Sequence, residues 1–338
     1  MPSRRKFLTR SAGAVTGALA TSASWAVEGN VPPCITRNAS LCGEWLFRTD
    51  PDDRGTKSEW FGVNPPGEGW RRITVPHTWQ VEDSLSDYRG VAWYWRSSDL
   101  PASEVPASWQ DCAVRLEFEA VFHTATVWVN GQFAGEHARK GYTAFTLDIT
   151  KFLQWSRTNT IAVRVDNAFS QHMVPRGRSS DWANDGGIFR PVQLLVTPKT
   201  FIERVHVSAE PNFATGEGKL AITAHIRNTR AKPWRGQAYM RVAEEGKSLT
   251  VLAGPTGSAS VEPGAVEMLT LQATLAKAKL WHFDHPHLYR LELSISDGHQ
   301  EHQFTTNFGV RNFEIRDGSL HLNGERVRLM GVERMAGS

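Results

Sequence analysis

The chain has 338 residues, 40% of them hydrophobic and 22% charged, which excludes a disordered tail and leaves room for two or three domains with cores of their own. The formal charge of +3 sets 38 basic against 35 acidic residues, and Arg4, Arg5, Lys6 and Arg10 supply four of the basic ones. Without residues 1–26 the balance is 34 to 35, a net −1, so no electrostatic case for a nucleic-acid partner survives.

At the N-terminus, Ser3-Arg4-Arg5-Lys6-Phe7-Leu8-Thr9 precedes a mild apolar run from Ala12 to Ala20 and then Ser24-Trp25-Ala26. A basic start, a short apolar segment and a small-x-small site make a secretory signal over 1–26. The paired arginines followed by Phe-Leu resemble a twin-arginine export signal, which implies a periplasmic or secreted protein. The run is too short and too rich in Ala and Gly to span a membrane, so no membrane partner is expected. Three cysteines follow, Cys34, Cys42 and Cys112, none in a C-x-x-C spacing. A Cys34–Cys42 bridge in an oxidising compartment and three isolated thiols both fit.

From Leu41 to about Pro198 the text is strand and turn. Ala113 to Glu119 alternates apolar and charged residues with period two. Thr126-Val127-Trp128-Val129 runs into Asn130-Gly131, a hairpin turn, and returns through Phe133. Phe145 to Ile149 alternates again, as does Ile161 to Val165, which ends at the turn pair Asp166-Asn167. No helical apolar stripe of useful length occurs, and many short strands argue for a β-sandwich of jelly-roll type over 27–199. A second β unit begins near Phe201, with strands at Arg204–Val207, Leu220–Ile226, Met268–Leu271 and Leu288–Leu293, and with Gly254 to Ser260 read as a turn. About a hundred residues of such strands fit an immunoglobulin-like sandwich over 200–316. The 13 tryptophans are ambiguous, because indoles build sheet cores and also stack on sugars. Near the end, Leu320-His321-Leu322, the turn Asn323-Gly324 and Val327-Arg328-Leu329 read as a hairpin running into a buried strand.

Several blocks now fall in a recognisable order: Arg89-Gly90-Val91-Ala92-Trp93-Tyr94; Val129-Asn130-Gly131 with Gly141-Tyr142-Thr143-Ala144-Phe145; Val163-Arg164-Val165-Asp166-Asn167; and Asp185-Gly186-Gly187-Ile188-Phe189-Arg190-Pro191-Val192. Leu280-Trp281 with Pro286-His287-Leu288-Tyr289, then Phe308-Gly309-Val310-Arg311 and Leu322-Asn323-Gly324, complete the set. Together they resemble glycoside hydrolase family 2, of the β-galactosidase and β-glucuronidase kind, over essentially the whole chain beyond the signal. The resemblance implies an all-β architecture, a jelly-roll β-sandwich followed by an immunoglobulin-like β-sandwich, ending at 317–338 in the start of a (β/α)8 catalytic barrel. Most blocks also have a structural reading: Asn130-Gly131 as a turn, Val163 and Val165 as core, and Arg190 as the partner of a carboxylate at a domain edge.

Ser179 to Gly187 stands apart as a polar, Gly-ended loop carrying one Trp, two carboxylates and an amide. Sugar hydroxyls are held by planar donor and acceptor groups, with an aromatic ring against a ring face. In the family, the Asp of the matching D-W-x-N-x-G-G-I loop reaches the barrel's active site and contacts the sugar. That implies a substrate-binding role for Asp181, with Trp182 and Asn184 as further candidates; a loop folded on its own Asx-turns is the alternative. Asp83 to Arg89 reads as another loop at the same end.

The resemblance further implies a retaining mechanism, in which two Glu carboxyls about 5–5.5 Å apart flank the glycosidic bond at the ends of barrel strands. In the family both lie beyond the last residue here, so no residue of this chain is assigned a catalytic role. The barrel of the same polypeptide is the expected partner, a β-glycoside the expected substrate, and the chain alone is expected to be inactive. Where many members read G-V-N-R-H, this chain has Gly331-Val332-Glu333-Arg334-Met335, which leaves the sugar open. His282, His285 and His287 lie close together, but Asp284-His285-Pro286 is turn-like and no metal is expected. No phosphate loop, G-x-S-x-G elbow or H-E-x-x-H helix occurs, and no cofactor is implied. A free-standing periplasmic carbohydrate-binding protein, or a β-sandwich joined to a carbohydrate esterase, are the other readings. The barrel-entry block from Leu322 to Gly331 speaks against the esterase.

Overall fold

The computed structural model describes residues 34–64, 67–99, 112–155, 157–174 and 184–332. Eleven strands belong to the first part of the chain: β1 (Cys34–Ile35), β2 (Arg37–Ser40), β3 (Gly43–Asp50), β4 (Arg71–Val75), β5 (Val91–Asp99), β6 (Cys112–Phe118), β7 (Thr124–Val129), β8 (Gln132–His137), β9 (Phe145–Asp148), β10 (Thr158–Asp166) and β11 (Val192–Pro198). Ten of them form two antiparallel sheets, six strands in the order β4-β3-β5-β10-β7-β8 and four in the order β2-β11-β6-β9. Their inner faces close one core. Trp45, Phe47, Tyr94, Val127 and Val163 come from the larger sheet, and Leu116, Phe118, Phe145 and Leu194 from the smaller. The period-two alternation dictates this, because successive side chains point to opposite faces of a strand.

The outer face of the larger sheet is apolar as well. Trp93, Trp95 and Trp128 point outward from β5 and β7 and are covered by Trp60 and Phe61 of the β3–β4 connection. Phe61 stacks on Trp128 with centroids 5.1 Å apart. The indole N–H of Trp93 donates to Asp50 Oδ2 at 2.9 Å, and that of Trp95 to the Gly62 carbonyl at 3.0 Å. These rings build a second small core, which settles for them the ambiguity of the tryptophan count. The β7–β8 turn is as read, with φ of 51° at Asn130 and 76° at Gly131. The Asn130 side chain also donates to Phe152 O and Asn159 Oδ1 and accepts from the Thr160 N–H.

The second part contributes β12 (Thr200–Asn212), β13 (Glu217–Asn228), β14 (Trp234–Glu244), β15 (Thr250–Val261), β16 (Val266–Leu275), β17 (Tyr289–Ser296) and β18 (Glu301–Phe308). The sheet β12-β13-β16 packs on β18-β17-β14-β15, with Ile222, Ile226 and Leu271 facing Val242, Leu291 and Leu293. The stretch from Gly254 to Ser260, read from sequence as a turn, is instead the middle of β15. That strand is the edge of its sheet, and its pairing to β14 is broken by two irregularities. An edge strand tolerates Gly and Pro because half of its backbone groups need no ladder partner. A small sheet follows, made of β19 (Phe313–Arg316), β20 (Ser319–Leu322) and β21 (Glu325–Arg326). Its Asn323-Gly324 turn has φ of 53° and 84°. The return strand expected at Val327-Arg328-Leu329 comes earlier, at Glu325–Arg326; the last bond is from the Val327 N–H to Leu320 O at 2.9 Å, Leu329 is exposed, and no buried strand follows among the described residues. A lone apolar segment has no ladder partner and no facing layer to bury it.

The two sandwiches are joined by the single residue Lys199 and by β1, which crosses over and pairs in parallel with β18. His302 of β18 sits at this junction, fully buried. Its Nδ1 accepts from the Ile202 N–H at 3.1 Å, which places the proton of the neutral ring on Nε2, where it donates to Thr36 Oγ1 at 3.1 Å. Beside it, the Arg115 guanidinium of β6 lies 4.1 Å over the Phe201 ring.

Burial, and secondarily the Arg115 charge, push the His302 imidazole down to about 4 from an ordinary 6.5. The unfolded chain therefore takes this proton first. The stability it contributes is complete above pH 6.5 and is lost as pH falls through about 4, a change of about 3 kcal/mol. Urea unfolding of the wild type and of His302→Gln across this window should show a steep acid loss in the first that is markedly shallower in the second.

Candidate sugar-contact site

At one end of the first sandwich four connections meet: 76–90 between β4 and β5, 119–123 between β6 and β7, 167–174 after β10, and 184–191 before β11. The last of these carries Gly186-Gly187. A Cβ on Gly186 would lie 2.1 Å from Trp79 Cζ2 and 2.5 Å from Asn167 Nδ2, so only glycine fits there. Its N–H donates to Gln80 Oε1 at 2.6 Å, and its carbonyl accepts from the Trp79 N–H at 3.2 Å. Gly187, at φ 138°, exchanges both backbone hydrogen bonds with Phe122, at 3.1 and 3.0 Å.

Asn167 binds the remaining loops. Its Oδ1 accepts from the Gly90 N–H at 2.9 Å, its backbone N–H donates to Gly90 O at 3.1 Å, and its Nδ2 donates to Asn184 O at 3.1 Å. Gln80 Nε2 and the Trp79 indole N–H both donate to Tyr88 O. The Arg89-Gly90, Asp166-Asn167 and Gly186-Gly187 blocks, far apart in sequence, are thus one hydrogen-bonded knot. Asp83 to Arg89, read as a loop at this end, does reach it, through Tyr88 and Gly90.

The next ring of contacts is an acid–base chain. His77 Nδ1 lies 2.8 Å from the Tyr94 hydroxyl, and Nε2 lies 3.0 Å from Glu82 Oε1, which Arg71 also holds. The order resembles a nucleophile, a base and an orienting acid. Tyr94, however, is 0% exposed, so no substrate reaches it. Burial lowers the His77 imidazole against the opposing effect of Glu82, and burial holds the Tyr94 phenol well above its usual range.

Of the residues read from sequence as sugar contacts, Asp181 and Trp182 lie outside the described residues. Asn184 is described and is 2% exposed, packed where its own carbonyl meets Asn167. Its neighbour Asp185 is half-buried, and desolvation raises its carboxyl against the lowering effect of Arg89. Tyr142 and Phe169 present rings at the surface, at 40% and 39% exposure. Tyr142 meets Phe189 edge-on at 6.2 Å, and Arg89 lies over Phe169 at 6.0 Å. Arg190, expected to pair with a carboxylate, instead lies exposed over Phe189, with no ion pair among the described residues. A solvent-facing guanidinium gains more from an adjacent ring face than from a distant screened charge.

Among the described residues, Asp185, Arg89 and the Phe169 and Tyr142 rings offer an acceptor, a donor and ring faces to a hydroxylated ligand. Among the described residues no group of three or more His, Cys, Asp or Glu is placed to hold a metal ion. His282 and His285 close a turn with mutual backbone hydrogen bonds of 3.0 and 3.1 Å. Sequence reading missed His77, Gln80 and Asn167. The last was visible only as a turn residue.

Residues 38–198 match the model of the glycosyl hydrolases family 2 sugar binding domain, and 200–311 match a second glycosyl hydrolases family 2 model. A β-galactosidase from Thermoanaerobacter pseudethanolicus is 31% identical over 269 residues, 77% of this chain and 33% of that protein. A β-glucuronidase from Bacteroides fragilis is 28% identical over 277 residues, 78% of this chain and 38% of that protein. The crystal structure of a Bacteroides uniformis β-glucuronidase superposes with a TM-score of 0.74 at 25% identity, covering 88% of this chain and 35% of the other. The chain spans about a third of the length of the curated relatives it first matches. From the first sandwich through the second, matched along their lengths by the two models, the chain belongs to glycosyl hydrolase family 2.

Proposed function

We propose that this chain is the N-terminal, non-catalytic part of an exported retaining glycosidase that acts on a β-galactoside or β-glucuronide. The observation that carries the reading is the glycine knot. It fixes the loop ending at Gly187 on a rigid sandwich edge, as a side chain reaching into a neighbouring domain requires. Asp181, on the same loop, is the residue that contacts the sugar, with Trp182 as a further candidate. Asn184 supports the loop from within. Residues 317–338 begin the catalytic barrel, and that barrel buries the exposed Ile315, Leu329 and Met330. Residues 1–26 direct folded export by the twin-arginine route.

One observation favours a second reading, a carbohydrate-binding protein that works without a barrel. Phe169 already exposes a ring beside Arg89, which acts on Asp185, and Tyr142 exposes another against Phe189. Such a protein would bind methyl β-glycosides by itself in the millimolar range.

Two outcomes are expected. The purified chain hydrolyses neither nitrophenyl β-galactoside nor nitrophenyl β-glucuronide. In a gene product extended through a barrel, Asp181→Ala lowers kcat/KM by about a hundredfold, the size of one lost charge-assisted contact. Turnover by residues 1–338 alone would sink the non-catalytic assignment. For export, replacing Arg4 and Arg5 together by Lys should leave the precursor in the cytoplasm, whereas the wild type should be recovered outside it, cleaved after Ala26. Intact-mass measurement of the fractions decides.

A further inference from the structure

His77 closes a loop of hydrogen bonds around the root of the 184–188 segment. The Tyr94 oxygen lies against this segment, where a Cβ on Gly187 would meet it at 2.8 Å, and the Ile188 backbone N–H faces it and lowers the phenol against burial. The Tyr94 O–H lies 2.8 Å from His77 Nδ1, and the His77 backbone N–H donates to Ile188 O at 2.7 Å. On the far side, His77 Nε2 donates to Glu82 at 3.0 Å. Every donor is matched only while Nδ1 is an acceptor, that is, while the imidazole is neutral. A proton on Nδ1 would point two donors, itself and the Ile188 N–H, at one phenolic oxygen. The Tyr94 hydroxyl proton would then be buried without an acceptor, a costly state in a residue closed to water.

We propose that His77 is a pH-operated positioning residue, whose neutral imidazole, bridging Tyr94 and Glu82, pins Gly187-Ile188 and whose protonation releases that segment. The groups that face the ring are few. Glu82 lies at the end of its own loop and is held by Arg71 of β4, Tyr94 stands on β5, and the Phe47 ring of β3 meets it edge-on at 5.0 Å. Glu82 is held below the usual carboxylate range and Tyr94 well above the usual phenol range, so neither changes charge between about pH 5 and pH 8. The imidazole is the one group here whose ordinary value lies in that window, and burial lowers it from there.

The consequence for sugar contact rests on the proposed function, because the pinned segment is the C-terminal root of the loop that carries Asp181. On that reading, sugar affinity falls as the segment is released at low pH. The pin itself does not depend on any sugar.

The test is hydrogen–deuterium exchange on the full chain without ligand, from about pH 5 to about pH 8, corrected for intrinsic rates. It follows a peptide over 184–192 with one over β17 as control. In the wild type, protection at Gly187 and Ile188 should fall by about tenfold as the pH drops below His77's midpoint, while β17 stays constant. In His77→Gln the 184–192 peptide should show no such pH dependence. In the conservative Glu82→Gln, which removes the charge that favours the imidazolium, the transition should move to lower pH. That shift is one a merely structural role would not produce. Flat wild-type protection, an unchanged slope in His77→Gln, or an unmoved midpoint in Glu82→Gln each overturns the proposal. Sugar affinity of the same samples, read separately with methyl β-galactoside and β-glucuronide, reports on the sugar-contact reading alone.

Discussion

The side-chain amide of Asn167 is the interaction on which the functional end of this molecule depends. It sits where β10 leaves the sheet, and it satisfies the backbone of two loops at once, Gly90 through its oxygen and Asn184 through its nitrogen. An asparagine does this because its amide offers acceptor and donor in one rigid plane, mimicking a strand that is not there. Buried backbone groups must find partners, and here no ladder continues to supply them. Removing the amide would take a partner from Gly90 N–H and from Asn184 O together, so the two loops are coupled through it.

Glycine supplies the second half of the same constraint. Trp79 can lie flat against the backbone of Gly186 only because nothing projects from it, and this contact brings Gln80 to the Gly186 N–H. The loop is thereby held from three sides, by Trp79 and Gln80, by Asn167 and by Phe122. Ordering a loop in advance moves its conformational entropy cost from the binding step to the folding step. A side chain that must meet a ligand from outside the main binding domain gains most from this.

Much of the architecture was legible because it is written locally. Asn130-Gly131 and Asn323-Gly324 declare their hairpins by backbone chemistry alone, and Ile161 to Val165 declares a strand by alternation. β15 was misread because an edge strand carries Gly254, Pro255 and Gly257, the residues that elsewhere mark a turn. β14 escaped because Gly236 and Ala238 dilute its apolar alternation. At the site, the glycine pair was visible as a loop ending, but its cause was not. Trp79 and Gly186 meet only through the folded sheet, as do His77 and Tyr94, and no spacing rule links such distant positions. Non-local contacts are also why Asn184, with the composition of a ligand residue, sits buried against Asn167.

Buried His302 and partly buried His77 show how neighbouring charge acts on rings in one hydrogen-bonding role. Both imidazoles accept a hydrogen bond on Nδ1 and donate one from Nε2, and burial depresses both. At His302 the adjacent charge is Arg115, which lowers the imidazole further. At His77 it is Glu82, which opposes the burial. Two rings in the same hydrogen-bonding role therefore feel adjacent charges of opposite sign, on top of a burial that lowers both. Hydrogen-bonding role alone therefore does not fix how readily a ring takes a proton; burial sets the direction, and the adjacent carboxylate or guanidinium works against it or with it.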